Sequence, residues 1–96
     1  MPSKGPQYTA FETLTIEGTG LGFTAATIAG KSHAVVTVET APVRFRLDGT
    51  APTATVGHLL NVGDVLELDS PEQLASVLFI RTTGTSATLS CSYGNV

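Results

Sequence analysis

Ninety-six residues are enough for one hydrophobic core and too few for two, because each half of a divided chain would fall below the size that folds unaided. Hydrophobic residues make up 42% of the chain and charged residues only 14%, against ~25% charged in ordinary soluble domains. The net charge is −3 and the five basic residues are scattered, so the basic stripe needed to grip a phosphate backbone is missing and nucleic acid is set aside as a partner.

In chain order, Met1 to Gln7 reads as an extended arm, because Pro2 and Pro6 carry no N–H donor and Gly5 loosens the backbone. Residues 8–96 read as a single domain. A first strand is predicted over Tyr8 to Glu17, where Leu14 and Ile16 alternate with Thr13 and Thr15. The glycines of 18–22 break it, and Phe23 to Ile28 is expected to form a short second strand. Ser32 to Thr40 places Ala34, Val36 and Val38 on one side. After Pro42, Val43, Phe45 and Leu47 face the core while Arg44 and Arg46 face out. Asp48-Gly49 marks a turn, Val56 to Leu60 is a short apolar piece, and Asn61 to Asp64 turns into Val65 to Leu68, with Asp64 expected to accept N–H bonds inside its own turn. Ser70-Pro71-Glu72-Gln73 is the one helical signal: a capping serine, a proline suited to the first turn, and a glutamine three residues after the cap. Val77 to Thr82 is so continuously apolar that it reads as a central strand covered on both faces. Ser86 to Tyr93 alternates throughout, with Ala87, Leu89, Cys91 and Tyr93 inward.

About eight short strands with at most one helical turn, spaced as sandwiches and barrels are, predict an all-β domain: a small antiparallel β-sandwich of jelly-roll-like form. Thr is abundant and β-branched, which agrees.

No residue pattern assembles into catalysis. The Gly18-Thr19-Gly20-Leu21-Gly22 run lacks the Gly-Lys-Ser/Thr ending of a phosphate loop and reads as a flexible turn. His33 and His58 stand apart from each other and from Cys91, so no metal set is expected, and no cofactor. Gly63-Asp64-Val65-Leu66-Glu67-Leu68 invites comparison with a cupin turn, but the His-x-His pair of a cupin metal site is missing. Glu67 and Asp69 share a strand face without the cleft that paired carboxylates need, and Cys91 reads as a buried, unreactive thiol. A lone cysteine allows no internal disulfide, which suits assembly in a reducing cytosol. The first residues lack the apolar run of a secretory signal, and no apolar stretch approaches the ~18 residues of a membrane span. Arg44 and Arg46 are expected to pair with Glu39, Asp48 or Glu67, or else to meet an acidic patch on a partner. The chain reads as a structural or binding module and not as an enzyme.

Val43-Arg44-Phe45-Arg46-Leu47-Asp48-Gly49-Thr50, Pro52-Thr53, Gly63-Asp64-Val65-Leu66-Glu67-Leu68, Phe79-Ile80-Arg81 and Ser86-Ala87-Thr88-Leu89 together resemble small proteins encoded beside the capsid genes of tailed phages, and among those most closely the decoration, or cement, proteins. The similarity covers roughly residues 32–93. It implies a subunit of the virion's capsid surface, folded in the bacterial host cytoplasm, that binds where major capsid subunits meet, stabilises the expanded head, and joins as a homo-oligomer, a trimer more readily than a dimer. Candidate contact residues under that reading are Pro2, Pro6, Tyr8 and Phe11 on the arm and its flank, with Arg44 and Arg46. Two other roles share the frame: a tail or head-completion component, and a carbohydrate-binding module, the latter disfavoured by the lack of Trp.

Overall fold

Period-two alternation is realised as two antiparallel sheets in a computed structural model that describes residues 7–95. The elements are β1 (Gln7–Ile16), α1 (Ala25–Ile28), β2 (His33–Val38), β3 (Val43–Arg46), β4 (His58–Leu60), β5 (Val65–Leu68), α2 (Pro71–Ser76), β6 (Leu78–Arg81) and β7 (Ala87–Asn95). One sheet has the order β1-β7-β2-β5 and the other β4-β3-β6.

These orders follow from one long hairpin rolled up on itself. The bend lies between β3 and β4, which pair; β2 then pairs β5, Leu21 bridges Phe79 of β6, and β1 pairs β7. Nested pairing that alternates between two facing sheets is the jelly-roll scheme. Its second strand is reduced here to the single bridge at Leu21, held by mutual N–H···O bonds with Phe79 of 2.9 and 2.8 Å.

The inward residues of both sheets fill one core. Ala34, Val36 and Val38 of β2 meet Ala87, Leu89, Cys91 and Tyr93 of β7, and Val43 and Phe79 close over them from the smaller sheet. Phe23 joins the layers, with its ring centroid 4.9 Å from that of Tyr93 and 5.7 Å from that of Phe79. Edge-to-face and tilted arrangements of this kind add to the burial of apolar area that stabilises the sandwich.

Three expectations are corrected. Phe23 to Ile28 is not a strand: Phe23 anchors in the core, and Ala25-Ala26-Thr27-Ile28 forms a helical turn. Alanine favours helix, and the Thr24 N–H and hydroxyl both bond the Glu12 carboxylate, which orients the turn's first residue. Next, β6 is not central; it is the edge of the three-stranded sheet, partly covered by the Leu21 bridge. Its apolar outer residues, Ile80 and Leu78, lie across from Arg44 and Arg46, whose methylene stems can shade an apolar neighbour while the charged heads stay wet. Finally, Gln7 belongs to β1 and not to the arm.

Local chemistry explains the rest. Ser70 caps α2, its Oγ accepting the Gln73 N–H at 3.1 Å, while the Gln73 side chain reaches back to the Asp69 N–H. Asp64 accepts the Asn61 N–H at 2.7 Å, closing the turn into β5. Gly49 follows Asp48 at φ +80°, a backbone angle that favours glycine, and Asp48 accepts the Thr50 N–H. On β1, a bulge at Thr9 shifts the register between Tyr8 and Ala10 opposite Gly94 of β7.

Candidate functional site

The outer face of the four-stranded sheet is a surface built from four strands with few charges on it. Phe11, Ser92, Val35 and Glu67 form one row across β1, β7, β2 and β5, and Thr13, Ser90, Thr37 and Val65 form the next. One charged side chain, Glu67, lies in those eight positions. Phe11 is 62% exposed and Val65 56%, at opposite ends of the two rows. Hydroxyls and small apolar groups cost far less to desolvate than charges do, so such a face suits lasting contact with another protein better than capture of a charged ligand.

The sequence-derived candidates do not converge on one patch. Tyr8 and Phe11 lie along β1 and are exposed. Arg44 and Arg46 lie on β3, in the other sheet. Arg44 donates to the carbonyls of Ala54 and Gly57, both at 3.0 Å, and so fastens the long β3–β4 connection to the sheet. Arg46 pairs with Asp48 two residues on, and that bond together with the Thr50 N–H holds the Asp48 carboxyl below its ordinary range. Of the three acids anticipated as partners, only Asp48 is engaged by either arginine. Pro2 and Pro6 lie outside the described residues.

Sequence reasoning passed over Leu59 and Val62, which are exposed beside the buried Leu60. In a strand of three residues, alternation is too short to say which apolar residue turns inward.

A polar cluster joins Glu12, Thr24 and Tyr93. Glu12 lies on the inward side of β1, its Oε1 accepting the Thr24 hydroxyl at 2.6 Å and its Oε2 accepting the Thr24 N–H at 3.1 Å and the Tyr93 hydroxyl. Burial alone would raise the Glu12 carboxyl, but those three bonds outweigh it and hold its pKa below the ordinary value. Burial also pushes Tyr93 upward, with Glu12 adding to the effect. Cys91 is pushed up to about 12, chiefly by burial, so it stays a thiol at neutral pH. Every oxygen here already has a partner within the fold, and the cluster acts as a structural clamp.

Among the described residues, two shallow hollows stand out on the surface. One of roughly 390 Å³ is lined by Arg46, Leu47, Asp48 and His58. The other, of roughly 220 Å³, is lined by Thr15, Glu17, Thr19, Gly20 and Leu21. The first holds a potential base without a hydroxyl or thiol to activate; the second holds hydroxyls and one carboxylate without a histidine. Among the described residues no group of three or more His, Cys, Asp or Glu is placed to hold a metal ion, and no helix is long and apolar enough to cross a membrane.

No known protein family matches the chain, and no curated protein or solved structure is detectably similar to it.

Proposed function

We propose that this protein is a structural, non-enzymatic component of a phage particle: a decoration subunit that seats on the capsid surface where major capsid subunits meet and stabilises the expanded head. The observation that carries the reading is the outer face of the four-stranded sheet, broad and almost free of charge, with Phe11 and Val65 exposed on it. The choice of capsid protein as partner rests on the resemblance of residues 32–93 to cement proteins alone.

The mechanism is linkage. A subunit that binds the assembled shell and not its separated parts lowers the free energy of the shell by its own binding free energy, repeated over every copy bound. Weak single contacts are sufficient, because a lattice offers many equivalent sites. A face of hydroxyls and small apolar groups whose one charge, Glu67, lies at its β5 edge can be covered with little charge to desolvate.

The purified protein added to expanded, undecorated heads is expected to co-sediment with them and raise the temperature at which they release DNA. Phe11→Lys and Val65→Lys should each weaken co-sedimentation. Retention on tails or isolated neck rings with no retention on heads would move the protein to a different part of the particle. Saturable binding to a glycan array would replace the reading altogether.

A further inference from the structure

The two sheets have four edges among the described residues, and three of them are short or covered. β4 has three residues, β5 has four and carries Glu67, and β6 has four and is bridged by Leu21. β1 is different. Beyond the bulge at Thr9, Ala10 to Ile16 runs in regular register with β7, and no described main-chain group bonds its other side. The next residue, Glu17, closes the end of this edge by accepting the Arg81 N–H.

Main-chain directions show which groups are open. The carbonyls of Thr88 and Gly94 on β7 accept from Glu39 and Ser32, so the even-numbered residues of β7 face the β2 side. The odd-numbered ones therefore face β1 and exchange bonds with their register partners Ala10, Glu12, Leu14 and Ile16. Phe11, Thr13 and Thr15 are left with both N–H and C=O pointing outward, and their side chains are exposed on the outer face. The edge is lightly guarded: it carries no Lys, Arg or Pro, its bulge lies at one end beside Thr9, and its one charge, Glu12, is engaged inward by bonds from Thr24 and Tyr93.

We infer that this edge pairs with the same edge of a second copy, antiparallel and centred on Thr13, to make one continuous eight-stranded sheet across a two-fold axis. In that register Thr13 faces the partner's Thr13 and Phe11 faces the partner's Thr15. All three open residues of each copy exchange both bonds, giving six N–H···O bonds from the spacing rules of an antiparallel ladder. Charge selects the register. A pairing centred on Glu12 would set two carboxylates directly opposite each other, which is destabilising, and a pairing centred on Phe11 would run into the bulge. In the Thr13 register, Glu12 faces the partner's Leu14. Each copy has one such edge and the pairing uses it on both sides, so the assembly closes at two and not at the three that the cement-protein resemblance favours. A single shared strand pair covers less than the ~1,200 Å² of a standard interface, so the dimer forms reversibly.

Sedimentation velocity of the full chain over a concentration series tests this. The expected result is a reversible monomer–dimer equilibrium whose dissociation constant rises at least tenfold in Thr13→Lys and in Thr13→Pro, with melting at low concentration unchanged. Proline is tolerated there because the Thr13 N–H takes no part in the β7 ladder. Val65→Lys, on the opposite edge, should leave the equilibrium as it was. Thr13→Cys copies should be joined by a short thiol cross-linker while Val65→Cys copies are not. A monomer at every concentration, a trimer, or a dimer insensitive to Thr13→Lys would overturn the pairing. So would amides of Phe11, Thr13 and Thr15 protected from exchange in the monomer, since the edge would then be covered within the chain. The test is independent of the capsid reading: a dimer that ignores heads leaves the pairing standing and removes that function. A monomer that loses head binding on Thr13→Lys does the reverse.

Discussion

Gly94 is where the fold tolerates no side chain, and Gly94→Ala gives a sharp test of the β1–β7 pairing. A Cβ built there would lie 1.9 Å from the Gln7 carbonyl oxygen, 2.6 Å from the Gln7 carbonyl carbon and 2.7 Å from the Tyr8 Cα. All three are main-chain atoms, so no rotamer change can relieve the contact. Reaching even 3.0 Å from the oxygen requires a shift of 3.0 − 1.9 = 1.1 Å, enough to break the pairing of Gln7 and Tyr8 with Asn95 and Gly94. Losing two net hydrogen bonds, together with overpacking, costs about 2–4 kcal/mol. The smaller conformational entropy of unfolded alanine returns about 0.4–1 kcal/mol. The expected net loss is therefore about 1–3.5 kcal/mol, or a fall in Tm of roughly 5–25 °C for a domain of this size. Gly84→Ala is the matched control, because a Cβ there meets nothing within 4 Å and its φ is not in the positive range. It should leave stability unchanged or raise it slightly. Thermal and urea denaturation of both variants decides the matter. If Gly94→Ala melts with Gly84→Ala, the close approach of Gln7 to β7 is wrong and the N-terminal half of β1 is placed differently.

Other measurements bear on separate parts of the fold. Glu12 has a lowered folded pKa, so its contribution is present above the ordinary value of 4.5 and is lost as pH falls through the folded value. Glu12→Gln should flatten that acid limb of the stability curve, as read by urea titrations at several pH values. Phe79→Ala, at a wholly buried position shared by both sheets, should cost about 3–5 kcal/mol and leave little folded protein at room temperature, measured by circular dichroism. Ser70→Ala removes the cap of α2 and should cost about 1 kcal/mol in denaturant. Cys91 should resist a thiol reagent in the native protein and react fully once unfolded; fast native labelling would contradict its burial and its pKa of about 12.

The sequence was most readable where burial alone determined residue type. Ala34-Val36-Val38 and Ala87-Leu89-Cys91-Tyr93 each line one wall of the core, and each alternates because the opposite face meets water or hydroxyls. α2 was legible through Ser70, Pro71 and Gln73, whose chemistry is local. What escaped was set by distant neighbours. Thr24 leads into a helical turn because Glu12, twelve residues earlier, bonds its N–H and hydroxyl. The apolar run of β6 suggested a central strand, but β6 is a sheet edge whose outer residues Ile80 and Leu78 stand in register with Arg44 and Arg46, with the glycine-rich 18–22 segment passing beside Leu78. Arg44 was expected to seek an acid and instead bonds Ala54 and Gly57, because a loop carbonyl leaves no mark in residue identity. The contact candidates were scattered for a similar reason. Tyr8–Phe11 and Arg44–Arg46 are each exposed-looking in sequence, yet only topology reveals that they belong to different sheets.

The rolled-hairpin topology also imposes a timetable on folding. Only β3 and β4 can meet early and cheaply, since each outer layer of pairing must close a longer loop before its contacts form. β1 is made well before its ladder partner β7, which follows some 70 residues later by the register of Ile16 with Ala87. Until then both sides of β1 are open, on a strand whose one charged side chain is Glu12. Slow synthesis or a stall before β7 should therefore yield insoluble material, and chaperone dependence should track the availability of the final strand.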